Sequence, residues 1–121
     1  MPNPFVHCEL SSANLDEAKR FYSSLFDWKL EDVPMGPGMT YTMIKVGDGT
    51  GGGMMKHPMP GQPSVWVPYV QVNDVRASTA KARSLGAQVL QDTQDIPGGG
   101  IFSIIRDPGG AVFGLFQAPA K

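Results

Sequence analysis

The stretch "VHCELSSANLDEAKRFYSSLF" (residues 6–26) has a counterpart later in the chain, "WVPYVQVNDVRASTAKARSLG" (residues 66–86). With one more residue in the second copy's loop, "TYTMIKVGDGTGGGMMKHP" (40–58) lies on "IFSIIRDPGGAVFGLFQAP" (101–119) in the same way. The two copies share residue type and order more often than identity, and they do so over nearly the whole chain. An internal duplication of this kind predicts two similar structural modules.

Each copy shows the same order of predicted elements. A strand is followed by a helix and then by three more strands, with glycine turns between the last two. We place the modules at residues 4–57 and 64–118 of a single domain, 1–121, and a linker rich in proline and glycine at 58–63. The sequence therefore predicts an α+β fold made of two βαβββ modules in tandem.

Capping residues mark where the two helices begin. The first helix is predicted over residues 15–26, because Asn14 is a suitable N-cap and Glu17, three residues later, completes a capping-box pattern. The second is predicted over residues 75–85, after Asp74 as N-cap. Local chemistry thus fixes both helix starts without any long-range information.

Composition excludes several classes of protein. The chain has 121 residues, 41% hydrophobic, which is enough for one compact domain. A net charge of -1 gives no electrostatic reason to expect a nucleic acid or an acidic membrane as partner. The N-terminal residues lack the basic and apolar regions of a signal peptide, so we expect a cytoplasmic protein. A single cysteine, Cys8, excludes an internal disulfide framework.

Two motifs make the chain resemble a known family. "NLDEAKRFYSSLFDW" (14–28) and "DPGGAVFGLF" (107–116), set in repeated βαβββ units, are similar to the vicinal oxygen chelate superfamily. That superfamily includes glyoxalase I, bleomycin and fosfomycin resistance proteins, and extradiol dioxygenases. The resemblance implies mixed sheets that curl around a cavity, where many members hold a divalent metal, and it implies frequent homodimers.

The same resemblance indicates which residues would hold the metal. The family's ligands lie on the first and fourth strands of each module, and the matching positions here are His7, Gly53, Val67 and Gly114. Only the first of these can bind a metal, whereas a catalytic zinc usually has three protein ligands. We therefore predict no cofactor, with a divalent metal as the less favoured alternative.

Alternation along the first strand places Phe5, His7 and Glu9 on one face and turns Cys8 toward the helix, as a small buried hydrophobe. If His7 points into the cavity, the same alternation selects the remaining residues around it. The predicted ligand-binding residues are His7, Glu9, Met55, Val67, Tyr69 and Phe116. His7 and Glu9 are also the candidate catalytic pair, although Glu9 could simply satisfy the histidine by a hydrogen bond.

These residues favour one function and leave two others open. The leading hypothesis is a protein like glyoxalase and bleomycin resistance proteins, with a degenerate metal site, that binds a small, partly apolar molecule in its cavity. The first alternative is a glyoxalase-type lyase or isomerase in which His7 and Glu9 perform acid–base chemistry. The second is a resistance protein that sequesters a drug without altering it. In each case we expect a small-molecule ligand and a homodimer, with neither nucleic acid nor membrane as partner.

Overall fold

The computed structural model describes residues 2–37, 39–59, 61–96 and 99–119. Pro60 of the predicted linker, and the first and last residues of the predicted domain, lie outside the described residues. The chain divides into two compact units. The His7 unit is residues 7–67, and the Tyr69 unit is the described part of residues 1–6 and 68–121. The predicted module bounds, 4–57 and 64–118, stay a prediction.

The described residues form two helices and eight strands. In chain order they are β1 (Phe5–Ser12), α1 (Leu15–Leu25), β2 (Lys29–Gly36), β3 (Met39–Lys45), β4 (Gly52–Lys56), β5 (Val65–Gln71), α2 (Val75–Ser84), β6 (Gln88–Ile96), β7 (Gly100–Arg106) and β8 (Val112–Gln117). The order strand, helix and three strands occurs twice, as the repeat predicts.

Both predicted helix starts are confirmed by their caps. Asn14 Oδ1 accepts a hydrogen bond from the amide of Glu17 at 3.1 Å, and the Asn14 amide donates to the Glu17 carboxylate at 3.3 Å. Asp74 Oδ1 accepts from the amide of Ala77 at 3.1 Å. Helix α2 ends before Gly86, whose φ of 98° is the left-handed conformation that glycine adopts at little cost.

The sheet of the His7 unit has α1 on one of its faces. Its strands pair in the order β2-β3-β4-β1, with β1 and β4 parallel and the other pairs antiparallel. Leu10, Ile44 and Met54 form the buried core between this sheet and α1. Leu10 of β1 lies on the α1 side of the sheet. Because side chains alternate along a strand, His7 and Glu9 lie on the side of the sheet opposite to α1. We call this side the far face.

The sheet of the Tyr69 unit has the same plan. Its strands pair in the order β5-β8-β7-β6, with β5 and β8 parallel and the other pairs antiparallel. The core beside α2 is built by Val72, Val75, Ile105 and Leu115, and alternation places Tyr69 on the far face of this sheet. The predicted α+β class with mixed sheets is therefore confirmed.

The cores are small. Met54 in the first and Val75 in the second are fully buried, and burial of such a side chain contributes roughly 1.5–3 kcal/mol. Helix α1 contributes no fully buried residue. At its C-terminal end Leu25 is 57% exposed and Phe26 is 43% exposed.

One polar cluster is buried in the Tyr69 unit. The Thr79 hydroxyl donates to the carbonyl of Val75 at 2.6 Å and lies 2.8 Å from the Ser103 hydroxyl. Since Thr79 has one proton, Ser103 is the donor of that second bond. Ser103 Oγ in turn accepts from the amide of Thr93 at 2.9 Å. Among the described residues, no buried side-chain nitrogen or oxygen lacks a hydrogen-bond partner.

Equivalent aspartates of the two copies bind their own helices. Asp32 accepts from Lys19 of α1 at 3.0 Å, and Asp92 accepts from Arg83 of α2 at 2.8 Å. The pKa of the Asp32 carboxyl is lowered, chiefly by a hydrogen bond from Thr42 and then by Lys19. Both aspartates are exposed, so these ion pairs contribute little to stability but agree with the internal duplication.

Neither helix among the described residues is long and apolar enough to cross a bilayer.

Candidate functional site

A chain of hydrogen bonds joins three side chains on the far face of the His7 unit. His7 Nε2 lies 2.7 Å from the hydroxyl oxygen of Tyr41, and that hydroxyl donates to Glu9 Oε2 at 2.9 Å. His7 and Glu9 come from β1, whereas Tyr41 comes from β3. The sequence indicated His7 and Glu9 as a pair, but they are connected through Tyr41, which it did not indicate as a site residue.

Gly53 is the reason that Tyr41 can reach both partners. It lies opposite Glu9 on β4, and Met43 lies opposite it on β3. Tyr41, two residues before Met43, is on the same face, and its side chain crosses directly over Gly53. A Cβ atom at position 53 would overlap the ring and hydroxyl of Tyr41. Glycine is required here for close approach and not for its backbone conformation.

The equivalent positions of the second copy lack the histidine and the carboxylate. Val67, Tyr69 and Phe102 align with His7, Glu9 and Tyr41 of the first copy. Tyr69 is 6% exposed and meets Phe102 edge to face, with ring centroids 6.2 Å apart. A Cβ atom at Gly114 would overlap the ring of Tyr69, as one at Gly53 would overlap Tyr41. Both copies therefore pair a glycine with a tyrosine ring, whereas the histidine and the glutamate occur in the first copy alone.

The other predicted ligand-binding residues also lie on far faces. Met55 is half-buried on β4, two residues after Gly53 and on the same side. In the Tyr69 unit, half-buried Phe116 pairs with Phe102 across β7 and β8. Val67 is buried, and alternation along β5 places it on the same side as Tyr69. The role of these residues in binding a ligand stays a prediction.

The four positions implied for a metal do not fit one. His7 Nε2 is hydrogen-bonded to Tyr41, and Val67 has no donor atom. Gly53 and Gly114 lack side chains, and tyrosine rings lie where side chains would extend. Among the described residues, no group of three histidine, cysteine, aspartate or glutamate side chains could hold an ion. A divalent metal usually needs at least three such protein ligands.

The environment of His7 favours its neutral form. The side chain is half-buried, and burial lowers its pKa below the ordinary value of 6.5. Near pH 7 His7 is therefore uncharged, and a neutral imidazole carries one N–H donor and one acceptor nitrogen. Such a group can accept a proton or a hydrogen bond, which is what a general base or a polar ligand anchor needs.

Cys8 differs from its prediction. It turns toward the α1 side of the sheet as expected, but it is exposed rather than buried. Its neighbours Gly51 and Gly52 have no side chains to cover the thiol, so an apolar hollow of about 260 Å³ is left there, with Trp28 and Trp66 on its wall. The interpretation of Cys8 as a small buried hydrophobe is wrong.

A larger, open groove of about 860 Å³ runs along α1 and includes the exposed side chains of Phe21 and Leu25. This groove and the hollow at Cys8 both lie on the α1 side of the sheet, and neither contains a residue of the His7–Tyr41–Glu9 chain. His57, the last residue of the first predicted module, accepts a hydrogen bond from the amide of Met59 at 3.1 Å, as in a local turn.

Comparison with known proteins identifies the family. The family model of the glyoxalase/bleomycin resistance protein/dioxygenase superfamily matches residues 5–115. The chain belongs to this superfamily. The predicted resemblance, based on the repeat and its two motifs, is therefore confirmed.

Curated relatives in this superfamily are longer than the present chain. The protein CFP32 of Mycobacterium tuberculosis, provisionally named a glyoxylase, is 37% identical over 109 residues. Its counterpart in Mycobacterium bovis matches equally well. The aligned region is 90% of this chain and 42% of each relative, so the chain spans less than half of their length.

Solved structures of methylmalonyl-CoA epimerases share the fold. Methylmalonyl-CoA epimerase from Mycobacterium tuberculosis superposes with a TM-score of 0.72 at 16% identity, covering 96% of this chain and 88% of that chain. A variant of the Streptomyces coelicolor enzyme, in complex with 2-nitronate-propionyl-CoA, gives 0.73 at 18% identity, covering 97% and 95%. At these identities the likeness establishes the fold alone.

Proposed function

We propose that this chain is a metal-independent member of its superfamily, which binds a small, partly apolar molecule on the far face of the His7 unit. The observation that carries the proposal is the hydrogen-bonded chain from His7 through Tyr41 to Glu9. Two polar side chains that meet on one hydroxyl form a convergent group, and ligand sites typically combine a few such groups with apolar surroundings.

The neighbourhood of this chain supports the partly apolar character of the ligand. Met55 adds a flexible thioether to the same face, and such side chains adapt to irregular apolar shapes. Gly53 adds no side chain at all. The polar groups would orient the ligand by hydrogen bonds, while Met55 would contribute apolar contact.

Two adjacent methionines provide a matched test of where a ligand binds. Met55 lies on the far face, whereas Met54 is fully buried on the α1 side. With ¹³C-methyl methionine labelling, small organic acids, ketones and aromatic compounds can be screened by NMR. A compound that binds as proposed should shift the Met55 methyl signal in a saturable way and leave the Met54 signal in place. Compounds that shift Met54, or the indole of Trp66, without shifting Met55 would place binding on the other side of the sheet and contradict the proposal.

One observation favours a second candidate, proton-transfer catalysis by a glyoxalase-type lyase or isomerase. The neutral imidazole of His7 is linked through Tyr41 to the carboxylate of Glu9. A proton that binds at one end of this chain can therefore be compensated by a proton shift at the other end. The likeness to methylmalonyl-CoA epimerases suggests a first substrate to test.

Exchange in D₂O tests this candidate directly. An enzyme that removes and returns the proton beside a carbonyl would place deuterium at C2 of methylmalonyl-CoA. The Glu9→Gln variant should lose this exchange, and Tyr22→Phe, which changes a tyrosine on the α1 side, should retain it. Absence of exchange in the unmodified protein would exclude this substrate, while binding detected at Met55 would still support the leading proposal.

Metal content gives an independent check on metal independence. After purification with divalent ions present, we expect less than stoichiometric zinc, nickel or manganese by elemental analysis. Stoichiometric metal that is lost in the His7→Ala variant would overturn the proposal. The homodimer and the cytoplasmic location expected from the sequence stay predictions, as does sequestration of a drug.

A further inference from the structure

We infer that Tyr41 is a positioning residue that fixes His7 as a single tautomer, with its proton on Nε2 and its lone pair on Nδ1. This inference rests on the proposed function and deepens it, because it states which nitrogen of His7 carries the proton in that site. Its test, however, needs no ligand, so the two can fail independently.

The Tyr41 hydroxyl has one proton to donate. That proton is donated to Glu9 Oε2, at an oxygen–oxygen distance of 2.9 Å. The same oxygen lies 2.7 Å from His7 Nε2, a separation that requires a proton between the two atoms. Since Tyr41 has already used its proton, Nε2 must be the donor.

The second nitrogen of the ring follows from the charge state. A protonated imidazole would carry a proton on both nitrogens, but burial disfavours the charged form of His7. With Nε2 protonated in a neutral ring, Nδ1 holds the lone pair. The orientation of one hydroxyl therefore determines which nitrogen of His7 can accept a proton or a hydrogen bond.

Packing keeps Tyr41 in the place where it has this effect. Its ring lies over Gly53, where a Cβ atom would overlap it. It is also nearly parallel to the ring of His7, at an interplanar angle of 22° and a centroid distance of 6.2 Å. The glycine and the tyrosine thus form one device, in which the missing side chain of the first makes room for the hydroxyl of the second.

A consequence concerns the position at which the superfamily resemblance implies a metal ligand. His7 could coordinate an ion through Nε2 only by giving up its hydrogen bond to Tyr41 and the proton it donates. Without the Tyr41 hydroxyl, Nε2 should therefore exist both with and without a proton.

The test is ¹⁵N NMR of the imidazole nitrogens in the full chain. The protein has two histidines, so a His57→Gln variant assigns the His7 signals unambiguously. Near pH 7.5 we expect a protonated-type shift for Nε2 and an unprotonated-type shift for Nδ1. In Tyr41→Phe the two shifts should move toward each other, as the tautomers begin to exchange. Tyr22→Phe, a change to a tyrosine in the same unit but on the α1 side, should leave both shifts in place.

Two results would overturn the inference. One is a proton on Nδ1 in the unmodified protein. The other is a Tyr41→Phe variant that folds and keeps both shifts unchanged, which would show that the tautomer is set elsewhere. If Tyr41→Phe does not fold, the unmodified protein still decides, because the inference requires Nε2 to carry the proton. Gly53→Ala, which should displace Tyr41, gives a second variant with the same expected change.

Discussion

The substitution Gly53→Ala tests the packing that supports the candidate site. Position 53 lies in the middle of β4, and its φ is not positive, so the backbone itself accepts alanine. The added methyl group, however, would overlap the ring and hydroxyl of Tyr41. Because Tyr41 is tied to His7 and Glu9, it cannot move aside without breaking both hydrogen bonds.

The size of the effect follows from two contributions. Overpacking of a well-filled site typically costs about 1–3 kcal/mol. The two hydrogen bonds of Tyr41 contribute about 0.5–1.5 kcal/mol each, and both would be lost. We therefore expect Gly53→Ala to lower the free energy of unfolding by about 2–6 kcal/mol, a large part of the roughly 5–15 kcal/mol of a typical domain.

Urea unfolding with a double-mutant cycle isolates the clash. In a Tyr41→Ala background the obstructing ring is gone, so the same Gly53→Ala change should cost less than about 1 kcal/mol. Gly109→Ala is a matched control, because its Cβ atom would make only an ordinary contact with Asp107, at 3.4 Å. An equal cost of Gly53→Ala with and without the ring of Tyr41 would show that contact with this ring is not the cause of the destabilisation.

Three further expectations can be measured by the same unfolding assay. Met54→Ala should lower the free energy of unfolding by about 2–5 kcal/mol, because the side chain is fully buried. Met55→Ala should lower it clearly less, because Met55 is half-buried. Equal losses would contradict the assigned faces. Burial lowers the pKa of His7 in the folded state, so the unfolded state binds the proton more tightly. The associated stability should be complete above about pH 6.5 and be lost as the pH falls through the lower folded-state pKa, and a His7→Gln variant should lack this loss. Thr79→Val should cost about 1–3 kcal/mol, because the buried hydroxyl of Ser103 loses the acceptor of its proton; an unchanged stability would contradict the assigned hydrogen bonds.

Much of the fold could be predicted because its signals are local. The caps at Asn14 and Asp74 fix the helix starts, and the repeated pattern gives the order of the strands. Strict alternation placed His7 and Glu9 on one face of β1, opposite the buried Leu10. These inferences need only the geometry of a few neighbouring residues.

The candidate site could be predicted only in part. His7 and Glu9 follow from one strand, but Tyr41 is 32 positions away from Glu9 in the chain. One signal for it was present in the sequence. Gly53 marks a place where another group approaches the backbone closely, although the glycine cannot say which group that is.

The sequence by itself determined that this chain repeats one βαβββ plan and where its helices begin. It also determined that, of two positions implied for metal ligands, one holds His7 and the other holds Gly53, which has no side chain. Only the tertiary structure decided that a tyrosine hydroxyl joins His7 to Glu9. It also decided that Cys8 is exposed beside Gly51 and Gly52. The physical reason is the same in both cases: the contacts depend on the register of strands distant in sequence, and a pattern along one strand contains no information about which side chains its neighbours supply.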